Sequence, residues 1–488
     1  MLSSLFARAA ARAEARDPAS AGASGLSGSL GVGERRDDVW FAALRAREFS
    51  RLDRSGEAYL DYTGSALYAE SHVRDHLELL AGSVLGNPHS QSVASLRSTE
   101  IIEDARRSTL AFFSADPGEY EVIFTANASG AIRLVAEAFR FRAGSRLVLA
   151  ADNHNSVNGV REIAQVRGAD VHYVGLDDEL RLQGVDRSLT RATAPSLLAF
   201  PAQSNFSGVQ HPSGLIDAAQ RAGYAVLLDA AAFVPTNTLR LDVVRPEFVA
   251  LSFYKMFGYP TGVGALIARR DALTALVRPW FAGGTVEFVS IQHRTHMSKT
   301  GAEAFEDGTP NFASIAAVPT GLELLGEIGM DNVNQRVGRL TAHLLAELAS
   351  LRHPDGRPMT RVYGPIAKDA RGGTVAFNVV DRSGRVVPYQ QVEQAALEHG
   401  VSIRGGCFCN PGAAERAFGF PPAESAACLA RARRDGFSVE GFAECLGGQV
   451  AVGAVRASVG IATNEADIAR LIGVLSECAR MRRMGSDS

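Results

Sequence analysis

Seven short apolar runs, at residues 122–125, 146–150, 171–174, 196–200, 225–229, 248–253 and 264–268, constrain this chain more than any other feature. Amphipathic stretches such as 132–141 and 159–167 lie between most of them. Short apolar strands alternating with helices predict an α/β domain built on a largely parallel sheet. In such sheets ligands sit beyond the carboxyl ends of the strands, so residues just after each run are candidates for function.

Near residue 313 the pattern changes. Long helices are predicted over 316–328 and 337–351, strands at 374–380 and 401–404, and a final helix at 465–480, which fits a smaller α+β domain. The segment 417–445, rich in Ala and Arg, reads as a loop. The expected division is a disordered segment over 1–36, a helical arm over 37–57, a large domain over 58–315, a small domain over 316–482 that carries a CxC loop, and a tail over 483–488. The first segment reads as a frayed helix and a Gly/Ser linker; its Arg/Ala opening is like a transit peptide except for Glu14 and Asp17. A length of 488 residues is enough for two domains. A net charge of −3 predicts no nucleic-acid or membrane partner, and no apolar stretch approaches the ~18 residues of a membrane span. Five cysteines make no disulfide framework. Four of them, Cys407, Cys409, Cys428 and Cys445, crowd a late region, where chemistry is expected of them rather than stapling, in a reducing, cytoplasmic setting.

One apolar run ends on a lysine. Ala250-Leu251-Ser252-Phe253-Tyr254-Lys255 gives way to Met256-Phe257-Gly258-Tyr259-Pro260. A lysine at the end of a buried strand is costly unless its charge is removed or partnered. A desolvated amine loses its proton more readily and condenses with an aldehyde such as pyridoxal phosphate. The plainer reading is an edge lysine whose tip reaches water. That cofactor needs a lysine, an acid near the pyridine nitrogen, a ring-stacking partner and a phosphate cradle. Asp229 closes the apolar strand Leu227-Leu228-Asp229, where it either partners the ring nitrogen or caps a helix. The turn Thr125-Ala126-Asn127-Ala128-Ser129-Gly130 exposes helix N-terminal amides, a natural phosphate site. The glycines of Phe281-Ala282-Gly283-Gly284-Thr285 form a second candidate anion loop. His154, in Asp152-Asn153-His154-Asn155-Ser156, either stacks on the ring or is an ordinary polar loop residue. Arg404-Gly405-Gly406-Cys407-Phe408-Cys409-Asn410-Pro411-Gly412 reads as a mobile, turn-rich surface segment. The nearby arginine favours thiolate over thiol, which makes a cysteine here a candidate nucleophile. A redox-active CxC stays open, and no matching Cys or His pair stands at zinc spacing, so no metal is predicted.

In order and spacing these residues resemble the class V pyridoxal-phosphate-dependent family, and within it the cysteine desulfurase domain of molybdenum cofactor sulfurases. Tyr59-Leu60-Asp61-Tyr62-Thr63-Gly64, Leu85-Gly86-Asn87-Pro88-His89-Ser90, Pro201-Ala202-Gln203-Ser204-Asn205-Phe206-Ser207-Gly208, the Lys255 segment and the CxC segment are similar to its signatures. The resemblance runs from about residue 38 to 480. It implies the aspartate-aminotransferase-like fold, fold type I, with a mainly parallel seven-stranded sheet. It implies pyridoxal 5'-phosphate carried by Lys255, with Asp229 at the pyridine nitrogen, His154 stacked on the ring and Asn205 at the ring hydroxyl and the substrate. Ala128, Ser129 and Ser252 match the phosphate site. Phe305-Glu306-Asp307-Gly308-Thr309-Pro310-Asn311 is similar to a segment whose threonine reaches the phosphate of the neighbouring subunit, so Thr309 implies a homodimer. Arg456, with Arg404 as second candidate, is similar to the arginine that holds the substrate carboxylate. Related desulfurases place the nucleophile five positions after the arginine of Arg-x-Gly-x-x-Cys, which favours Cys409 over Cys407.

The activity so implied is removal of sulfur from L-cysteine as a persulfide on Cys409, with release of alanine and transfer of the sulfur to an unspecified acceptor. Departures from the pattern keep a second activity in view: an aminotransferase, β-lyase or epimerase that uses the cofactor without a persulfide. Ala232 stands where related desulfurases have a glutamine, and Tyr254 where many have a histidine. Ala413-Ala414 replaces a third cysteine of cofactor sulfurases, and the chain leaves no room for their carboxy-terminal pterin-binding domain. A non-catalytic scaffold that keeps only the fold is the third reading.

Overall fold

The structure, a computed structural model, describes residues 35–480 apart from 368, 448 and 449. Residues 1–34 and 481–488, which hold most of the expected N-terminal segment and the tail, lie outside the described residues. The seven apolar runs form seven strands: Tyr120–Thr125 (β1), Arg146–Ala150 (β2), Asp170–Val174 (β3), Ser196–Pro201 (β4), Tyr224–Asp229 (β5), Phe248–Ser252 (β6) and Gly264–Arg269 (β7). They make one sheet in the order β1-β7-β6-β5-β4-β2-β3. Strands β2 to β6 run parallel, and β7 alone is antiparallel to both its neighbours, β1 and β6. Alternate residues enter different cores, as a period of two requires. Val226, Leu228, Val249 and Leu251 pack on one face, and Leu227, Phe248 and Ala250 on the other. Every residue of β4 and β6 is buried, because both faces of the sheet are covered. This is the mainly parallel α/β architecture predicted from the alternation. It brings the ends of β1, β2, β4, β5 and β6 to a single edge.

A second, four-stranded antiparallel sheet contains Thr360–Tyr363 (β8), Thr374–Val379 (β9), Arg404–Gly406 (β10) and Ala454–Ser458 (β11), in the order β8-β9-β11-β10. Helices Met330–Ser350 and Glu465–Arg480 close its core together with Phe41 and Leu44 of helix Asp38–Glu48. Among the described residues no helix is long and apolar enough to cross a membrane.

Three expectations are corrected. The strand expected at 401–404 is two strands: Val401–Ser402 pairs in parallel with Ala58–Tyr59, and β10 joins the small sheet. The segment 417–445 is helical, with helices Pro422–Asp435 and Val439–Cys445. Proline at the first turn and a run of Ala, Leu and Arg favour the longer helix, but Cys428 is its one buried side chain, so no apolar stripe announced it. Cys428 and Cys445 form a disulfide. Two of the four late cysteines therefore staple two helices instead of doing chemistry.

Candidate active site

The strand ends at the common edge surround a cavity of about 160 Å³. Ala128 and Ser129 enter it from the turn after β1, His154 from that after β2, Asn205 from that after β4, Asp229 from β5, and Ser252 and Lys255 from the end of β6 and the short helix behind it. Seven of the eight residues assigned to the cofactor from the sequence thus line one space, Thr309 being the exception.

Lys255 follows β6 in helix Phe253–Phe257. Its amine has no hydrogen bond or ion pair among the described residues. It lines the cavity, and burial lowers its pKa below the ordinary lysine value despite the opposing charge of Asp229. Asp229 accepts a hydrogen bond from the Ala231 amide at 3.0 Å on one carboxylate oxygen, which leaves the other uncommitted beside the cavity. The helix-capping reading of Asp229 gives way to this two-residue turn. His154 caps helix Asn155–Asn158; its Nδ1 accepts from the Ser156 amide at 3.1 Å and lies 3.0 Å from Ser156 Oγ, which holds the ring in place. Burial lowers the pKa of His154, so a neutral ring is favoured.

Three hydroxyls gather where helix Ala128–Ala138 begins. Ser252 Oγ accepts from the Ala128 amide at 2.8 Å, and Ser129 Oγ lies 2.5 Å from Ser156 Oγ. Ser156 is a site residue that sequence reading missed; its place two residues after His154 was the available signal. An unpartnered amine, a carboxylate with a free oxygen, a fixed imidazole and a hydroxyl cluster at a helix start are the donor set that pyridoxal phosphate requires, and all border one cavity.

No residue of the CxC segment lines the cavity, but the segment is bonded to Asn205, which does. The Phe408 carbonyl accepts from Asn205 Nδ2 at 2.6 Å, and the Cys409 carbonyl from the Asn155 amide at 2.7 Å. The loop expected to be mobile is therefore anchored on both sides of Cys409 to segments that line the cavity. Cys409 is exposed, whereas Cys407 donates its thiol to the Val452 carbonyl and burial raises its pKa. The thiolate preference expected from the neighbouring arginine thus fails at Cys407.

Neither arginine lines the cavity. Buried Arg456 donates to Asp61 Oδ1 and to the Asn205 carbonyl, both at 2.9 Å, and stacks over Phe408. Arg404, its register partner across β10 and β11, donates to Asp61 Oδ2 at 2.6 Å. Asp61 therefore holds both guanidiniums, a role that was not apparent in the sequence. Thr309 is not brought to the cavity: it is exposed, accepts from Asn87 Nδ2 at 3.1 Å, and lines a separate cleft of about 390 Å³ with Arg278 and Trp280. Residues Thr125, Ala126 and Gly130 border that cleft while Ala128 and Ser129 border the cavity, so one turn separates them. Among the described residues no group of three His, Cys, Asp or Glu is placed to hold a metal ion.

The family profile described as "Aminotransferase class-V" matches residues 58–471. The chain belongs to the class V aminotransferase family. Within this family it is 37% identical over 400 residues to a molybdenum cofactor sulfurase of Bos taurus, covering 77% of this chain and 45% of the relative. A molybdenum cofactor sulfurase of Anopheles gambiae is 37% identical over 456 residues, 88% of this chain and 58% of the relative. The chain thus spans about half the length of the curated relatives it matches. Among solved structures, a cysteine desulfurase from Thermococcus onnurineus NA1 superposes with a TM-score of 0.74 over 90% of this chain and 97% of that one, at 23% identity. The cysteine desulfurase CsdA of Escherichia coli gives 0.70 over 90% and 98%, at 21% identity. At these identities the class V likeness establishes the fold, that of fold type I, and the chemistry rests on the residues above.

Proposed function

We propose that this chain is a pyridoxal-phosphate-dependent, cysteine desulfurase-like enzyme that moves the sulfur of L-cysteine onto Cys409 and releases alanine. The observation that carries the reading is the meeting of two chemistries: an unpartnered, desolvated Lys255 inside the cavity, and an exposed Cys409 whose backbone is tied to the cavity wall through Asn205 and Asn155.

When bound, pyridoxal phosphate supplies an aldehyde for the lysine and a protonated ring that takes up electrons from the substrate. Asp229 is positioned to keep a proton on the ring nitrogen with its uncommitted oxygen. Ser129, Ser156 and Ser252, with the start of helix Ala128–Ala138, would hold its phosphate, and His154 would cover the ring. Lys255 Nζ, whose neutral form burial favours, takes the α-proton of the substrate and returns it as general base and then acid. Arg456 binds the substrate carboxylate by exchanging its contact with Asp61 for the incoming one. The Cys409 thiolate attacks the substrate sulfur, the carbon–sulfur bond breaks, and the persulfide remains on Cys409 while the carbon skeleton leaves as alanine. The acceptor of that sulfur is proposed to be a separate molecule that reaches the exposed Cys409.

A homodimer is proposed as the working form. Trp280, Phe281, Phe288, Ile291 and Met297 are exposed around the hairpin Val286–Ser290 and Thr295–Ser298, beside the cleft that holds Thr309. Apolar surface of this kind marks an interface. A second copy there would bring its Thr309 toward the phosphate turn. The free thiols Cys407, Cys409 and Cys478 support a reducing, cytoplasmic setting, and the Cys428–Cys445 disulfide stands against it.

The test is alanine production from L-cysteine by wild type and by Cys409→Ala. The proposal requires the variant to lose turnover while keeping the cofactor. Full turnover by Cys409→Ala would transfer the site to an aminotransferase, β-lyase or epimerase reaction.

A further inference from the structure

The proposed reaction leaves buried Asp152 without a task. Asp152, directly after β2, is fully buried, and its Oδ2 lies 2.9 Å from Nε2 of buried His211. Its Oδ1 accepts from Ser204 Oγ at 2.7 Å and from Asn410 Nδ2 at 2.8 Å. Asn410 follows Cys409, and the same amide nitrogen lies 3.1 Å from Asn205 Oδ1 and 3.2 Å from the Asp152 carbonyl. Asn205 in turn donates to the Phe408 carbonyl. The carboxylate thus stands at the hub of a closed ring of hydrogen bonds that runs from the end of a sheet strand, through the cavity wall, to the residues on each side of Cys409.

What the ring holds is strained. Phe408 and Cys409 both have φ of +56°. Two consecutive non-glycine residues in the left-handed region are unfavourable, and such conformations persist only where the surroundings over-determine them. A buried carboxylate fixed by an imidazole and two neutral donors is a stiff anchor, and it is the only ionisable group in the ring that touches the loop.

We propose that Asp152, oriented by His211, is a positioning residue for the persulfide step: through Asn410 and Asn205 it holds the strained Phe408–Cys409 turn so that Cys409 Sγ is presented to substrate in the Lys255 cavity. This rests on the cysteine desulfurase reading above. Asp152 touches neither cofactor nor substrate, so its loss should leave early steps intact and slow sulfur transfer.

The test compares wild-type holoenzyme with Asp152→Asn and Asn410→Ala. The second variant leaves the Asp152–His211 pair in place and removes the link to the loop, together with the Asn205 contact and the Asn410 cap of helix Pro411–Phe418, and it decides the matter if the first does not fold. Both should retain pyridoxal phosphate and show the wild-type absorbance change when L-cysteine is added. KM should be unchanged, while single-turnover alanine release and persulfide yield on Cys409 fall about 10–100-fold, the penalty expected of a misplacement on the order of 1 Å. Amide hydrogen exchange at Cys409 and Asn410 should speed up by at least about tenfold in both. Alanine release within about twofold of wild type, or a loss that merely tracks loss of cofactor, overturns the proposal. If wild type releases no alanine from L-cysteine, the functional reading fails by itself; the exchange rates then judge the clamp, and unchanged exchange overturns it.

Discussion

At the scale of single residues, Lys255 carries the account. Unfolded lysine holds its proton up to about pH 10.5, whereas burial lowers the folded value. Between the two, the unfolded chain binds the extra proton, so stability rises with pH through that window; below it, the whole cost of burying the charge is felt. Lys255→Met in cofactor-free protein should therefore raise the melting temperature at neutral pH and flatten its rise toward pH 10.5. A lower melting temperature for the variant would mean that the amine is solvated. The placement of Lys255 and Asp229 in one cavity was legible in the sequence because each ends or follows an apolar run, and the fold sends such ends to one edge, while Ser252 was assigned through the family resemblance. The roles of Asp61 and Asp152 were not legible. Their partners lie 343 and 395 residues away for Asp61, and 52, 59 and 258 away for Asp152. Local pattern carries no information on which distant side chain a carboxylate will meet.

At the scale of elements, the seven strands of the large sheet were readable to within two residues, most of them because burial on both faces leaves an uninterrupted apolar run, whereas Thr360–Tyr363 and Ala454–Ser458 went unread. The helices over 422–445 were not readable either, since they bury little and are held by Cys428–Cys445. That bond closes a loop of 17 residues, which corresponds to about 3 kcal/mol of chain entropy. Cys428→Ser should thus speed amide exchange across 422–445 while cofactor content stays at the wild-type level; a loss of cofactor would show that the stapled pair supports the site itself. The CxC turn is a second element-scale case. Gly-Gly and Asn-Pro-Gly suggested mobility, yet Gly412 serves close approach: a Cβ there would sit 2.2 Å from the Ala151 carbonyl oxygen. Gly412→Ala should push helix Pro411–Phe418 off the end of β2, with a stability loss of about 1–3 kcal/mol by thermal unfolding and a matching fall in persulfide yield. An unchanged melting temperature would mean that the turn is as loose as its composition implied.

At the scale of the whole molecule, fold class was legible from alternation alone, whereas the homodimer rests on the resemblance at Thr309 and on the proposed hairpin interface. Trp280→Asp combined with Met297→Asp should convert a sedimenting dimer to monomer and weaken cofactor retention; a variant that stays dimeric would place the interface elsewhere. The account as a whole joins the amine of Lys255 to the thiol of Cys409 across one cavity. Its most direct test is the mass of the peptide that spans residues 404–416 after holoenzyme meets one equivalent of L-cysteine. The account predicts one added sulfur atom on Cys409, one alanine released per site, and neither in Lys255→Ala. Alanine formed in full with no sulfur on that peptide would contradict it.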